Sequence, residues 1–375
     1  MSVIIKEVGN KAMLRQFVQF NLRLYKGNPY HVPSLIYDDL MTLDKKKNPA
    51  FEFCESVYFL AYREDKIVGR IAGIINHNAN KVWEQQHARF GFVDFIDDRE
   101  VSDALFLAVE QWAKSKGMNA LQGPLGFTDL DHEGLLVWGF DRIGTMATAY
   151  SFPYYQEHLA ALGYEKDQDW HEFLIKVPSE IPERFRRVSE IVMQKFGLKI
   201  KKFKRRKEVW PYAYKIFKLF NDAYKPLYAY SPLTERQIKY YVNMYIPMLR
   251  LELITVIVRE DDDSVVGVGI TLPSLAKALQ KSQGKLFPFG WFHLLKALWG
   301  RGEVVDLLLI GVHPDYQNKG VNALMFYDLI PEFNKIGLKI AESNPELELN
   351  TKVQVQWDLF EREHVKTRRA FIKHL

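Results

Sequence analysis

Hydrophobic and polar positions follow patterns that occur twice along the chain. Segments 58–76 and 253–271 each contain two apolar runs joined by a charged turn, with a glycine in the second run. This pattern predicts a β-hairpin in each half. Short strand-like runs at 3–8 and 198–203 precede segments of helical period. Each half is therefore predicted to begin with a strand, a helix and a hairpin.

The second part of each half also repeats. Segments 92–118 and 307–338 each contain a strand-like run, a loop and a helical pattern that ends at a glycine. Phe106 in the first segment corresponds to Phe326 in the second. Blocks that keep their order at nearly constant spacing indicate a duplicated unit.

The duplication predicts a mixed α/β (α+β) sheet in two domains. Each half is expected to run strand, helix, two hairpin strands, strand, helix, strand, helix. Two prolines punctuate residues 176–183, so we expect domains at 1–178 and 179–375. Residues 182–197 are expected to form a linker helix.

The composition narrows the class of protein. A chain of 375 residues with 47% hydrophobic and 26% charged residues can bury large cores without disulfides. The single cysteine, Cys54, favours a reducing compartment. The sequence has neither a signal pattern at its start nor an apolar run long enough to span a membrane, so a cytoplasmic location is expected. A net charge of +5 suits anionic ligands without indicating nucleic acid.

The sharpest local motif lies at 312–326, where an apolar strand ends at a His-Pro turn and a helix follows. The start of such a helix presents unpaired backbone N–H groups and the positive end of the helix dipole. Gly320 lets the backbone approach an anion closely, and Lys319 adds positive charge. The turn therefore suits a diphosphate.

This motif resembles that of the GNAT superfamily of acyl-CoA N-acyltransferases, which carry Gln/Arg-x-x-Gly-x-Gly/Ala after the fourth strand. Gln317 and Gly320 match it, whereas Asn322 replaces the small residue. The resemblance implies two tandem GNAT-like domains with acyl-CoA or acetyl-CoA as co-substrate. The implied contact residues are Ile310, Val312, Gln317, Asn318, Lys319, Gly320, Val321, Asn322 and Ala323.

The corresponding loop of the first half has a different charge. Asp97, Asp98 and Glu100 place three carboxylates there without a glycine, and carboxylates repel a diphosphate. We therefore expect a degenerate first domain and acyl-CoA binding in the second. The first half still ends in a stretch, 154–164, that resembles the ending of GNAT domains.

Acyl transfer to an amine needs a base, and it needs N–H donors for the oxyanion. Asp306 and Glu342 are candidate bases because they lie on the two strands that flank the thioester in the resembled fold; the alternative is a pair of solvated strand-end carboxylates. Asn350 is either a further site residue or a helix N-cap. The tyrosine that many GNAT enzymes use as an acid is not evident, since Trp357 and Phe360 occupy its neighbourhood.

A polar loop of the first half offers a second group of candidates. Asp129, Asp131, His132 and Glu133 cluster between two glycines, and His132 is the residue best able to change charge near neutral pH. The spacing matches neither a zinc site nor an EF-hand, so no metal is expected. The loop is either the capped start of a helix or an amine site that faces the second half, with His132 as its catalytic candidate.

The second half also carries an insertion at 273–302. No acid occurs from Ser264 to Gly302, against five Lys and Arg residues. An amphipathic helical pattern joins Trp291, Leu294, Leu295, Leu298 and Trp299. Residues 286–299 are thus predicted to lie on a membrane surface, on the inner face. The alternatives are a cover over the core and a lid on an acyl tunnel.

Residues 199–207 form a second basic segment, with seven cations in nine residues. Such a segment is most simply a solvated strand edge, since edge lysines block strand pairing. Anionic lipid is the second interpretation and RNA a weak third.

Two functions fit these features. The first is an acyl-CoA-dependent N-acyltransferase acting on a primary amine, with an amphiphilic or sphingoid-type amine favoured by the insertion; the overall design is similar to the GNAT-like bacterial ceramide synthases. Its partners are a CoA thioester and an amine. The alternative is a non-catalytic tandem GNAT-fold binding protein or membrane scaffold. The sequence leaves acyl length, an acyl carrier protein donor and oligomeric state open.

Overall fold

The predicted hairpins form, and their strands extend into one sheet of fourteen strands. The computed structural model describes residues 2–375, and only the backbone of Lys352. The predicted α/β fold class with a mixed sheet is confirmed.

The first half supplies seven strands and five α-helices among the described residues. In chain order these are β1 (Ile4–Glu7), α1 (Lys11–Leu24), α2 (Ile36–Leu43), β2 (Cys54–Arg63), β3 (Lys66–Asn76), α3 (His77–Val82), β4 (His87–Phe95), α4 (Arg99–Ser115), β5 (Ala120–Gly123), β6 (Leu135–Trp138), α5 (Tyr154–Ala161) and β7 (Glu165–Lys176).

The second half repeats this order with a leading helix and a longer insertion. Its elements are α6 (Glu183–Phe196), β8 (Leu198–Lys201), α7 (Trp210–Tyr224), α8 (Glu235–Tyr245), β9 (Ile254–Arg259), β10 (Val265–Pro273), α9 (Ala276–Ser282), α10 (Gly290–Trp299), β11 (Val304–Val312), α11 (Asn322–Ile336), β12 (Ile340–Ser343), β13 (Glu346–Leu347), α12 (Thr351–Gln354) and β14 (Arg362–His374).

The strand order reveals the duplication directly. Across the main sheet it is β1-β2-β3-β4-β5-β14-β7-β12-β11-β10-β9-β8, which is symmetric about the central β14–β7 pair. Each half thus receives the last strand of the other: β14 pairs with β5, and β7 pairs with β12. The sequence pattern missed β7 and β14. β14 was missed because charged residues, Lys366 and Arg368, occupy two of its buried positions, with 1% exposure each. These residues interrupt the alternation of apolar and polar positions that indicates a strand.

The repeated sequence blocks occupy equivalent places. Phe20 is buried in α1 and Phe220 in α7, the matched helices of the two halves. Gly117 and Gly337 follow α4 and α11 with positive φ angles of 76° and 85°, a conformation that glycine adopts readily at a helix end.

The predicted linker helix forms as α6 and has a packing role. Val192 of α6 is buried with Val321, which precedes α11, and with Leu324 of α11. α6 therefore covers the start of α11, where the anion-binding loop is predicted.

The predicted helical insertion forms as α9 and α10, and its amphipathic stripe divides between two environments. Leu294 and Leu298 are buried, whereas Trp291, Leu295 and Trp299 are 44–48% exposed. No helix within residues 2–375 combines the length and the apolarity that crossing a bilayer requires.

Candidate functional site

The two central strands of the second half separate partway along their length. β11 and β12 pair in parallel as far as Leu307 and Ser343. The register of β11 against β10 shifts at the same level, which makes Leu308 the extra residue of a β-bulge. Asn344 crosses the gap, because its Nδ2 donates to the Leu308 carbonyl at 2.6 Å. A bulge leaves backbone groups unpaired, so this opening can offer N–H donors to a ligand.

The equivalent opening in the first half is filled. The Leu125 N–H donates to the Phe90 carbonyl of β4 at 2.9 Å. A Cβ placed on Gly91 would lie 2.4 Å from the Leu125 carbonyl oxygen, and one on Gly123 would lie 2.2 Å from the Phe90 oxygen. The two backbone segments thus approach each other too closely for a ligand to pass between them. The degenerate state of the first domain stays a prediction.

The loop before α11 presents free donors at the surface. Residues 317–320 are exposed, and α11 begins at Asn322. The backbone N–H groups of Asn318, Gly320, Val321 and Asn322 donate no hydrogen bond to any group within residues 2–375. Gly320 has a φ angle of +80°, and a Cβ there would lie 3.0 Å from Val188 of α6. Free N–H groups at a helix start are suited to binding phosphate.

The side chains of this loop have distinct roles. Lys319 Nζ lies 5.4 Å from the ring centroids of both Phe196 and Tyr316, so its charge is held beside the helix start. Gln317 donates to the Val312 carbonyl at 3.2 Å. Asn322 donates to Gln356 Oε1 at 3.1 Å, which turns its larger side chain away from the free N–H groups. Val321 and Ala323 are buried and fix the helix.

A cavity of about 460 Å³ lies between the two halves. Most of the residues in its walls are apolar, and α7, α8, β10 and β11 contribute part of them. Ile310 is the predicted acyl-CoA contact that lines it, and Met325 lines it one helical turn beyond Asn322. This volume falls in the usual range of small-molecule sites. The cavity thus extends inward from the β11–β12 opening.

Part of the cavity wall is acidic. Asp129, Asp131 and Glu133 line it from the first half, together with Asp38 and Asp39 of α2. Burial raises the pKa of Asp129 and of Asp39 to about 7, and those of Asp131 and Asp38 to about 6. These carboxyl groups therefore hold protons more readily than exposed ones, and a cation entering the cavity would favour their ionised form.

Contacts from the second half hold this acidic loop in place. Asp131 Oδ2 accepts from the Phe127 and Thr128 N–H groups at 2.8 and 3.0 Å. The Tyr241 hydroxyl of α8 lies 3.1 Å from Thr128 Oγ1. The buried Arg89 donates to the carbonyls of both Gly126 and Ala229. The loop contains no helix, so the predicted helix start is wrong.

His132 lines the cavity but is not the switch near neutral pH that the sequence suggested. Burial lowers the pKa of His132 to about 4. Its Nε2 lies 3.2 Å from the Met146 carbonyl, which can only accept, so Nε2 carries the proton. The imidazole ring is therefore neutral, and its Nδ1 can accept a hydrogen bond.

Glu346, which the sequence did not single out, lies in the cavity wall near the strand opening. Glu346 of β13 lines the cavity, as does Asn350. The Trp357 Nε1 donates to Glu346 Oε1 at 2.7 Å, and Oε2 has no partner. Burial raises the pKa of Glu346 to about 7. Asn350 precedes α12 without a side-chain capping bond. The sequence alone offers no signal that separates Glu346 from nearby Glu348.

Asp306 and Glu342 lie outside the cavity wall. They face each other on β11 and β12, at 1% and 6% exposure. Lys366 of β14 contacts Glu342 Oε1 at 2.5 Å and Glu172 Oε2 of β7 at 2.9 Å. Arg368 completes this buried charge cluster through a 2.5 Å contact with Glu172. The cluster joins the strands that the two halves exchange.

Asp306 lacks a cation of its own, and both of its carboxylate oxygens are buried without partners. Burial, reinforced by Glu342, raises the pKa of Asp306 to about 8. The unfolded chain releases this proton near pH 4 and the folded chain near pH 8, so the stability contributed by this residue falls as pH rises between those values.

Replacing Asp306 with Asn should therefore stabilise the fold. We expect the free energy of unfolding at pH 8 to rise by on the order of 1–3 kcal/mol, with little change near pH 4. Urea titration at both pH values measures this, with the exposed turn substitution Asp65→Asn as the control. A loss of stability at pH 8 would contradict the raised pKa of Asp306.

Within residues 2–375, no group of three or more His, Cys, Asp or Glu residues is arranged to hold a metal ion.

No protein-family model matches the chain. A solved tandem GNAT protein from the clavulanic acid biosynthesis pathway is similar over 100% of this chain and 98% of its own, with a TM-score of 0.57 and 12% identity. This chain has a tandem GNAT fold. In this fold the β11–β12 opening and the loop before α11 belong to the second GNAT unit.

Two curated relatives match the tandem GNAT chain at the sequence level. A bacterial ceramide synthase of Caulobacter vibrioides is 28% identical over 315 residues, which cover 83% of this chain and 80% of that protein. Protein YghO of Escherichia coli K12 is 26% identical, with 99% of this chain and 95% of that protein covered. The similarity therefore extends over both halves.

Proposed function

We propose that the protein is an acyl-CoA-dependent N-acyltransferase whose chemistry takes place at the β11–β12 opening. The main support for this proposal is that three features of the structure adjoin one another. Free N–H groups lie before α11, the strands open beside a bulge at Leu308, and an apolar cavity continues inward to a group of carboxylates. The ceramide synthase relative supports the same reaction class.

The donor is a CoA thioester, and its diphosphate is assigned to the loop before α11. The N–H groups of Asn318, Gly320, Val321 and Asn322 supply donors, and Lys319 supplies charge. Val312 and Ile310 lie on the strand that leads from this loop to the opening. We therefore assign the thioester carbonyl to the bulge, where a backbone N–H can stabilise the oxyanion.

The acceptor is a primary amine with an apolar tail. Its ammonium form is attracted to the carboxylates contributed by the first half, such as Asp129, whose Oδ1 has no partner. The apolar walls suit an alkyl chain, whether it belongs to the amine or to the acyl group. The resemblance to a ceramide synthase favours a sphingoid-type amine.

Glu346 is the proposed general base. A base works best when its pKa lies near the working pH, and the pKa of Glu346 is about 7. The bound ammonium first releases one proton to solvent, and the neutral amine nitrogen then attacks the carbonyl carbon. Oε2 takes the second proton, which the nitrogen loses as the new carbon–nitrogen bond forms. The carbon–sulfur bond then breaks, and the thiolate, with an ordinary pKa of about 8.5, takes up a proton. His132 and Asn350 are assigned to positioning the acceptor, and Asp306 and Glu342 to holding the strands at the opening.

The reaction is tested by incubating the purified protein with acetyl-CoA or palmitoyl-CoA and a panel of short- and long-chain amines, while free thiol is followed. We expect thiol release that depends on the amine, and an N-acyl product detected by mass spectrometry. Binding of acyl-CoA without thiol release from any amine would instead favour a non-catalytic binding protein.

The diphosphate assignment has its own test. Lys319→Glu should weaken acyl-CoA binding about tenfold, or ~1.4 kcal/mol, because it places a negative charge beside the helix start. Lys335→Glu is the matched control, since Lys335 lies near the other end of α11 with a 66% exposed side chain. Isothermal titration calorimetry measures both. Equal affinities for the two variants would contradict the assignment.

A further inference from the structure

Two segments that are far apart in the sequence meet on the surface of the second half. Arg206, from the basic segment 199–207, lies with its guanidinium carbon 5.3 Å from the ring centroid of Trp299 on α10. Arg250 lies 5.5 Å from the same ring. The insertion and the basic segment are therefore parts of one surface.

The apolar part of this surface is large and uncovered. We call it the aromatic patch; its members are Phe287 (77% exposed), Phe289 (70%), Trp291 (44%), Phe292 (53%), Leu295 (47%) and Trp299 (48%). Isolated exposed apolar residues are common on proteins, whereas six within 13 residues of chain mark an interaction surface.

Exposed cations lie near the aromatic patch in the chain and on the basic segment that meets it. We call these residues the basic rim; they are Lys204, Arg205, Arg206, Lys207, Lys277, Lys281, Lys285, Lys296 and Arg301. Two acids nearby in the chain pair with other cations, Glu252 with Arg250 and Glu303 with Lys339. Glu208, which accepts from the Lys204 and Arg205 N–H groups, leaves one negative charge against the nine cations of the rim, so the net charge of this surface is positive.

We infer that the aromatic patch and the basic rim together dock on an anionic lipid bilayer. Tryptophan and phenylalanine side chains on one face of a helix, with cations beside them, are the features of a helix that lies in the interface plane. Cations near an anionic membrane surface each add attraction that salt screens. The charge complementarity selects an anionic bilayer over an apolar protein partner as the occupant.

The same insertion forms part of the cavity wall. Leu275, which precedes α9, and Leu279 of α9 line the cavity, and Leu294 and Leu298 of α10 pack with them. A bilayer on the outer face would thus lie one helix layer from the apolar cavity. This inference is independent of the acyl-transfer proposal, because docking needs no turnover.

Vesicle flotation of the full-length protein tests the inference. With vesicles of phosphatidylcholine containing about one third phosphatidylglycerol, the unchanged protein should float at low salt. Phe289→Ser combined with Trp291→Ser and Leu295→Ser should reduce the floated fraction at least tenfold. So should the combination of Lys204→Gln, Arg205→Gln and Lys207→Gln.

Matched controls separate docking from folding. Leu107→Ser with Ile191→Ser removes apolar side chains that are 53% and 52% exposed outside the patch, and Lys11→Gln with Lys26→Gln and Lys81→Gln removes exposed cations elsewhere. Both sets should float like the unchanged protein, and circular dichroism should be the same for all variants.

Several results would overturn the inference. These are flotation of the patch variant equal to that of the unchanged protein, no flotation of the unchanged protein, and equal flotation on vesicles of phosphatidylcholine alone. Light scattering provides a further arm. If the unchanged protein is a dimer that the patch substitutions convert to a monomer, a second copy of the chain covers the patch and the membrane inference is wrong.

Discussion

Glu346→Gln is expected to lower kcat for amine acylation by about 100- to 10,000-fold, the range that a general base contributes. The substitution keeps the acceptor for the Trp357 Nε1 hydrogen bond, so the cavity wall should stay in place. With the base removed, the limb of the pH–rate profile near pH 7 should disappear. Steady-state kinetics between pH 5.5 and 9 measure both effects.

Glu348→Gln is the control for this experiment. Glu348 lies two residues away, outside the cavity wall, and its Oε2 accepts from Lys166 at 2.9 Å. We expect its kcat and pH profile to match those of the unchanged protein, and the KM for acyl-CoA to stay similar in both variants. A Glu346→Gln enzyme that keeps more than a tenth of the original kcat would remove Glu346 from the role of base.

The buried charge cluster should produce the largest change in stability. Lys366→Met is expected to lower the free energy of unfolding by about 3–5 kcal/mol, because it leaves buried carboxylates without their cation. Lys366 is 1% exposed and contacts both Glu342 and Glu172. Equilibrium denaturation in urea at pH 7 measures the change.

Another lysine of the same strand serves as the reference. Lys373 pairs with Glu110 at 2.8 Å, and its side chain is 27% exposed, so Lys373→Met should cost about 1 kcal/mol or less. Adding Glu342→Gln to Lys366→Met should restore part of the lost stability, since one unpaired charge is removed. A loss below 1 kcal/mol for Lys366→Met would contradict the view that this cluster holds the two halves together.

The repeated patterns predicted most of the fold because hairpins and strand–loop–helix units are local. The runs at 3–8 and 198–203 become β1 and β8, and the segment 182–197 becomes α6. The sequence pattern could not predict the exchange of β7 and β14, since it depends on pairing between strands about 160 and about 250 residues apart. In β14, Lys366 and Arg368 occupy buried positions through their ion pairs with Glu172 and Glu342, so the strand has no recognisable apolar pattern.

The candidate site was predicted in part for the same reason. The loop before α11 is a local turn with a recognisable spacing, so Gly320 and Lys319 could be identified from the sequence. The cavity is formed by α7, α8 and a loop of the other half, so no short motif marks Glu346. His132 seemed suited to titrate near neutral pH because the sequence cannot reveal the burial that lowers its pKa.

A crystal structure of the protein with bound CoA would show whether acyl transfer takes place at the β11–β12 opening. We expect the diphosphate oxygens to accept hydrogen bonds from the N–H groups of Asn318, Gly320, Val321 and Asn322, and the thiol sulfur to lie beside Leu308. CoA bound elsewhere, with this loop and the opening free of it, would rule out the proposed site.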